Sequence, residues 1–390
     1  VLELNQPQNN RPFLFSQTML TEEMGCVMTE RSWPDRWFFP GGALTAAGAA
    51  ADADVAAVDA HFAALATADP SSTDDTPADA WLRARGATDR QLAIAEACYA
   101  NDFGAGLADL GLTELAAEAR AWDSGDSYLV PDRPFSALVT HMASFVPAGR
   151  VRTSWPVESV VWGCDGVALA GPAGRVRARR AILTVPLALL QRGDITFDPP
   201  LPPPKAGALA RLRVGAATKV VVALRRAIWP PGFFDAVCPG AFVPEWWVKD
   251  GCVQGDRSGA TAITGFLCGR FAAAAAALGR ERTVASALAQ LDAMFGSESD
   301  PRPATDAFVG AHVIEWDKER WAGGGYSHPS LGALPTDRAA LAAPEGGTLF
   351  FAGEATHGGV NPCLQAAVET GERAAAQVVA AAGGDDGVGA

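Results

Sequence analysis

The sequence predicts an α/β chain with room for two domains, and three observations carry that reading. In the stretch 346–379 an apolar strand, Leu349-Phe350-Phe351, runs through Ala352-Gly353-Glu354 and a Gly/Pro turn into a helical pattern. That helix sets Leu364, Ala367, Val368, Gly371, Ala375 and Val378 on one face. Over 151–185 the hydrophobic period is two, broken by Gly turns, whereas over 44–121 it is helical. At 390 residues and 49% hydrophobic composition the chain can bury a large core.

Bulk composition excludes as much as it suggests. A formal charge of −13 argues against a nucleic-acid surface, whose footprint is basic. It keeps a protein soluble and leaves attraction of cationic small molecules open. Cys26, Cys98, Cys164, Cys238, Cys252, Cys268 and Cys363 are scattered without any C-x-x-C, which points to buried free thiols, a reducing intracellular compartment and no structural zinc. His61, His141, His312, His328 and His357 lack metal-ligand spacing. No apolar run reaches membrane-spanning length, no secretory segment stands at the start, and the chain opens with Val, as in a processed or incomplete product.

In chain order, 5–11 is polar and Asn/Gln/Pro-rich, and Trp33, Trp37, Phe38 and Phe39 form an aromatic group after it. Val55, Val58, Phe62 and Leu65 space as one face of a helix over 44–68. A polar loop covers 70–77. Helices follow over 81–85, 89–100 and 113–121, the last N-capped by Thr113, with Asn101-Asp102-Phe103-Gly104 a turn. Residues 128–131 lead into a helix over 135–139. Short strands are expected over 151–157, 160–162, 167–170 and 176–185, joined by glycine turns at 163–166 and 171–174. Segment 181–190 reads as a strand ending at Pro186, and 195–202 as a proline-rich crossover.

The next strand, 214–224, is apolar except for Lys219. An unpaired buried ammonium is expensive, so this lysine either snorkels to solvent from an edge strand or serves something in a cavity. Segment 233–266 is aromatic and loop-rich, with Phe242, Trp246 and Trp247 ahead of a strand over 261–267. Helices over 271–278 and 282–295 turn Leu288, Leu291, Met294 and Phe295 inward. Then come Val313-Ile314-Glu315-Trp316-Asp317 and Trp321-Ala322-Gly323-Gly324-Gly325-Tyr326-Ser327, aromatics around a glycine turn that pack a core or wall a cavity. Residues 383–390 read as a flexible tail.

A strand that delivers a glycine and a carboxylate to a helix N-terminus suits a polar, electron-rich ligand. Taken together, 346–379, 181–202, the Lys219 strand with Ile228-Trp229-Pro230 downstream, and the Trp316 to Tyr326 element resemble the flavin-dependent amine oxidases. These are monoamine and polyamine oxidases, L-amino-acid oxidases and lysine-specific histone demethylases. The resemblance implies an FAD/NAD(P)-binding Rossmann-like domain interleaved with an α+β substrate domain of sheet plus helices. Its segments would be 1–126 (helical part of the substrate domain), 127–213 (FAD-domain segment with a small β-sheet), 214–335 (substrate-domain sheet and helices) and 336–382 (C-terminal FAD-domain segment), before the tail.

The same resemblance implies roles. Gly353 and Glu354 lie along the ribityl and diphosphate of FAD, the backbone at Leu364 meets the pyrimidine edge of the flavin, and Val157 meets the adenine through its backbone. Lys219 holds a water against flavin N5, Trp316 packs beside the isoalloxazine, and Tyr326 walls an aromatic cage around a neutral amine. Cys363 stands where the second cage wall belongs, smaller and less polarising than the usual Tyr. Gly325 stands where monoamine oxidases attach FAD through Cys, so a noncovalent cofactor is expected. The implied reaction oxidises a C–N bond by hydride transfer to flavin N5 with O₂ as acceptor, giving an imine, then a carbonyl, and H₂O₂. Its substrate is a small-molecule amine, with polyamines favoured by the acidic balance; no nucleic acid and no membrane span are expected.

One family element is missing. Such chains begin with a strand, a G-x-G-x-x-G turn and a helix that hold the FAD diphosphate, then a strand ending in a ribose-binding acid. No G-x-G-x-x-G occurs near this N-terminus, and Val1-Leu2-Glu3 matches only the end of that second strand, with Glu3 at the ribose position. Three expectations follow: a natural N-terminal segment outside this sequence, a partner chain that supplies the βαβ unit, or a non-catalytic scaffold or interaction subunit that has lost FAD.

Overall fold

The computed structural model describes residues 19–46, 52–67, 75–122, 127–248, 259–359 and 363–385. After a π-helical turn, Met19–Glu23, come β1 (Met28–Ser32), β2 (Arg36–Trp37) and β3 (Thr45–Ala46). The helices α1 (Ala53–Ala63), α2 (Ala78–Ala84), α3 (Asp89–Ala95) and α4 (Leu112–Ala121) form a block, which the antiparallel partner β4 (Ser127–Pro131) of β1 and helix α5 (Phe135–Ser144) follow. Next come β5 (Ser159–Gly163), β6 (Gly166–Gly171), β7 (Gly174–Ala178) and β8 (Ala181–Leu183), then α6 (Leu187–Arg192), β9 (Thr196–Asp198) and α7 (Pro203–Arg211). The large sheet is built from β10 (Arg213–Val214) onward: β11 (Ala217–Leu224), β12 (Asp235–Val237), β13 (Glu245–Val248), β14 (Thr261–Cys268), α8 (Gly269–Leu278), α9 (Arg280–Phe295), α10 (Pro303–Ala307) and β15 (Phe308–Glu315). The chain closes through β16 (Ser327–His328), α11 (Asp337–Ala342), β17 (Leu349–Phe351) and α12 (Leu364–Asp385).

Among the described residues the main sheet has seven strands in the order β15-β11-β14-β13-β12-β2-β3. Its two faces differ because successive side chains on a strand point opposite ways. Val220, Val222 and Leu224 are fully buried and join Trp246, Ile263 and Leu267 against Phe271, Leu291 and Met294 of the covering helices. The other face carries polar residues in register: Lys219 lies opposite Phe266, and Phe266 opposite Glu245. Two further units complete the α/β architecture. A four-stranded sheet, β7-β6-β5-β9, shares the core of Val160, Val167, Leu183, Ile195, Leu349 and Phe351 with the parallel pair β17-β8. The helical block packs around Val58, Phe62, Leu82, Ile94, Leu110 and Leu115. No described helix is long and apolar enough to cross a membrane.

Several expected elements form differently. No strand covers 151–157; the ladder begins at Ser159 because Pro156 has no N–H to donate, and its carbonyl lies so close to Gly171 that a Cβ there would sit 2.0 Å away. The strand expected over 176–185 breaks at Arg179-Arg180 into β7, antiparallel to β6, and β8, parallel to β17. The helix expected from 44 starts only at Ala53, where the Asp52 side chain takes the Asp54 and Val55 N–H groups; Thr45–Ala46 is strand. Thr113 does not cap α4: Gly111 is the N-cap, and the Thr113 N–H goes to Asp75 at 3.0 Å. Trp246 and Trp247 lie within a strand, β13, one on each face.

The last helix buries Gln365, Ala366, Thr370 and Ala374, while Ala375 and Val379 are exposed. The face is rotated because the Thr370 hydroxyl accepts the Gly353 N–H at 3.0 Å and donates to the Ala367 carbonyl, so a polar residue points at the strand. That helix also continues to Asp385, through the start of the expected tail. Glu3 and most of the polar loop at 70–77 lie outside the described residues.

The tightest backbone crossing yields a prediction. A Cβ on Gly215 would fall 1.7 Å from the Gly104 carbonyl oxygen, whereas one on Gly163 meets nothing within 4 Å. Gly215→Ala is expected to destabilise the fold by about 3 kcal/mol or more. Gly163→Ala should cost far less in the same urea titration.

Candidate active site

The site is assembled on the polar face of the main sheet. Lys219 projects from β11, its Nζ 5.4 Å from the ring centroid of Trp247 and 5.5 Å from that of Phe266. The two rings are themselves 5.5 Å apart and tilted. Lys219 is an interior lysine on a central strand and does not snorkel from an edge. Desolvation lowers its pKa from the ordinary ammonium range, opposed by the charge of Glu245. Glu245 accepts from Trp33 Nε1 at 3.1 Å and from Asn101 Nδ2 at 3.5 Å, while Asn101 Oδ1 takes the Cys268 N–H at 2.8 Å. Thus the turn 101–104 at the end of the helical block docks on this wall.

Tyr326 joins the same cluster, packed with Ala217, Phe266, Cys268 and Trp247. Its hydroxyl donates to the Asp102 carbonyl, and Gly104 lies against its ring. Trp316 is held close by: its N–H donates to the Ala217 carbonyl at 2.9 Å, and a Cβ on Gly325 would be 3.8 Å from the Trp316 Cβ. Trp316 stays 36% exposed. One residue beyond Tyr326, Ser327 turns to the other side and donates from Oγ to Glu354 at 2.7 Å and from N at 3.3 Å. Lys219, Trp316, Tyr326 and Glu354 therefore converge through the pair Tyr326–Ser327.

Gly353 and Glu354 follow β17. Gly353 has φ +123°, where glycine is favoured, and a Cβ there would meet nothing within 4 Å. Beside it is a cavity of about 240 Å³, walled by Leu183, Val185, Pro186, Leu190, Phe351 and Thr356, with Glu354 as the charged group on its lining. Burial raises the Glu354 carboxyl above its usual range, opposed by the Ser327 hydrogen bonds and the charge of Arg338. An open glycine step, an acceptor carboxylate and apolar walls suit a ligand with hydroxyl donors and a flat apolar ring, and so these residues fit the ribityl and ring of a flavin. No group of three or more His, Cys, Asp or Glu side chains placed to hold a metal occurs among the described residues.

The family model for flavin containing amine oxidoreductases matches residues 51–379. The chain belongs to this family. The chain is 26% identical over 280 residues to the Homo sapiens lysine-specific histone demethylase 2, a match covering 67% of this chain and 32% of that protein. It is 28% identical over 298 residues to polyamine oxidase 1 of Oryza sativa subsp. japonica, covering 64% and 56%. The chain thus spans about a third of the first relative's length and about half of the second's. Among solved structures, cyclohexylamine oxidase from Brevibacterium oxydans IH-35A superimposes with a TM-score of 0.78 at 18% identity, over 96% of this chain and 86% of that one. A wild-type putrescine oxidase bound to putrescine gives 0.76 at 19%, over 96% and 87%. The chain shares its fold with both.

Not every expected site residue lies in the cluster. Leu364 packs on Leu20, Cys26, Leu129 and Leu138, and the carbonyl of the partly buried Cys363 receives the Ala367 N–H at 3.2 Å in the first turn of α12. Val157 packs on the core beneath the four-stranded sheet. Sequence reasoning named Trp247 only as one of the aromatics of 233–266 and missed Phe266 and Glu245 around Lys219, and Ser327, Arg338 and Glu114 behind Glu354. The alternation Glu245-Trp246-Trp247-Val248 was the available signal for the first group. The second had none, because its members are far apart in the chain.

His328, 3% exposed, sits beside this network with its pKa lowered to about 4, mainly by burial and further by Arg338 and Arg213. An unfolded histidine titrates near ~6.5, so between there and pH 4 the unfolded chain binds the extra proton and the native one does not. Stability is therefore complete above pH 6.5 and is expected to fall by about 3 kcal/mol as the pH drops to 4. His328→Asn should flatten that part of the profile in urea melts taken across the range; parallel profiles would exclude His328 as its source.

Proposed function

We propose that this chain is the catalytic part of an amine oxidase that holds FAD noncovalently and oxidises the C–N bond of a small amine, with polyamines as the favoured class. The observation that carries the reading is Lys219, a desolvated ammonium against Trp247 and Phe266 on the wall that Tyr326 completes. In support, the relatives include a polyamine oxidase, and the protein carries a formal charge of −13, a field that draws cationic amines toward it. When bound, FAD supplies the two-electron acceptor at N5 and passes the electrons to O₂, which leaves as H₂O₂. Segments 127–213 and 336–382 form the cofactor side, and 1–126 and 214–335 the substrate side.

The protein's own part is positioning and proton handling. Tyr326, fixed through its hydroxyl to the Asp102 carbonyl, offers a ring face to a neutral amine, and Cys363 is the smaller wall opposite. Lys219, an ammonium whose pKa burial lowers, holds a water on the cofactor side of the wall. Trp316 flanks the ring, Gly353 and Glu354 hold the ribityl chain, the backbone at Leu364 meets the pyrimidine edge, and Val157 meets the adenine. Purified protein incubated with FAD is expected to retain a flavin absorbance band and to release H₂O₂ with polyamines. Lys219→Met should keep the band while lowering turnover on the order of 100-fold. A chain that takes up no flavin even with FAD added would instead be a scaffold subunit.

A further inference from the structure

Behind Glu354 lies an ion pair that joins the two sides of the molecule. Arg338 of α11 donates from Nε to Glu114 Oε1 at 2.6 Å and from Nη2 to Glu114 Oε2 at 3.4 Å. Its Nη2 also donates to the His328 carbonyl at 3.1 Å, and its Nη1 to Ser327 Oγ at 3.1 Å and the Ala355 carbonyl at 3.4 Å. All five guanidinium N–H groups are thereby used, so the fork has one orientation. The Arg338 and Glu114 side chains are only 12% and 10% exposed. Glu114, on α4 in the helical block, is fixed in turn by the Ser330 N–H at 2.7 Å.

This geometry sets a direction. A guanidinium can only donate, so Ser327 Oγ accepts from Arg338, and its single hydroxyl hydrogen goes to Glu354 Oε2. The Ser327 N–H takes the other carboxylate oxygen, Oε1. Both oxygens of Glu354 are thus bonded from the protein side as acceptors, and their remaining lone pairs are left for the cavity. Resting on the flavin reading above, we propose that Arg338 is a positioning residue for the cofactor. Through Ser327 it holds Glu354 as an acceptor-only carboxylate for the hydroxyls of the ribityl chain, and Glu114 of the substrate-side helices anchors it.

Other charged or titratable groups around Glu354 are engaged elsewhere. His328 is buried and neutral. On α12, Arg373 donates to the Thr356 and Phe351 carbonyls, and Glu369 meets His357 at 2.9 Å. A difference between wild type and a relay variant therefore isolates Glu354.

The test is FAD affinity, read by flavin fluorescence quenching on the apoprotein from pH 6 to 8, with the apoprotein Tm taken alongside. Ser327→Ala and Arg338→Gln are each expected to weaken FAD by roughly tenfold at pH 7. The deficit should grow as the pH falls, since Glu354 without its donors protonates more readily. Glu114→Gln, remote from the cofactor, should weaken FAD in the same direction. If Arg338→Gln fails to fold, Ser327→Ala decides, because it leaves the Arg338–Glu114 pair in place. Variants with wild-type affinity and parallel pH profiles would overturn the relay alone, as would a loss of Tm without change in affinity. Wild-type protein that binds no FAD at any pH would overturn the flavin reading and the relay with it.

Discussion

Two consecutive residues, Tyr326 just before the short strand β16 and Ser327 at its start, tie this molecule together, because their side chains go to different partners. One faces the sheet wall with Lys219; the other bonds Glu354. Their backbone is clamped by Gly215, whose N–H donates to the Tyr326 carbonyl and whose carbonyl accepts from Gly325, each at 3.0 Å. Only a position without a side chain permits that approach, since Gly215 also lies on the Gly104 carbonyl. The sheet wall with Lys219 and the Glu354 carboxylate are thus held one residue apart by backbone geometry, not by a flexible hinge of loops.

The electrostatics around this pair follow from burial. Lys219 and Glu354 are both destabilised as ions by the low-dielectric surroundings, in opposite directions of pKa, and each has partners that oppose the shift. Perturbed groups elsewhere are structural. Lys205, buried with a pKa lowered to about 8, donates to the Ala340, Leu341 and Ala343 carbonyls and so caps the end of the helix that carries Arg338. Asp235, pushed up to about 8 by burial, accepts the Asp35 N–H, while Asp35 accepts the Phe234 N–H; together they fasten the short strand β2 to the sheet. A shifted pKa marks chemistry only where it also borders open space.

Particular residues show how far the sequence could be read. The strand with Lys219, the strand before Gly353 and the helices of 81–121 were legible because each carries a local period or a turn residue. The break at Arg179-Arg180 was not, because either a continuous strand or two short ones satisfies an alternating pattern. Nor was the true face of the last helix: Thr370 looks polar by composition but is turned inward by its bond to Gly353. The missing cap on α4 has the same origin, since Asp75 reaches it from a distant loop.

By itself, the sequence determined the α/β class and the family and pointed to the residue types of the candidate site, because strand and helix periods and the Gly-Glu and Gly-Gly-Gly-Tyr steps are local properties of a chain. Tertiary structure alone decided that Lys219 looks onto Trp247 and Phe266 and not into solvent, and that Glu354 is held through Ser327 by an arginine whose partner is more than two hundred residues away. Those facts depend on which strands pair and in what register. Long-range pairing is set by the summed burial of whole faces, which no short window of sequence contains.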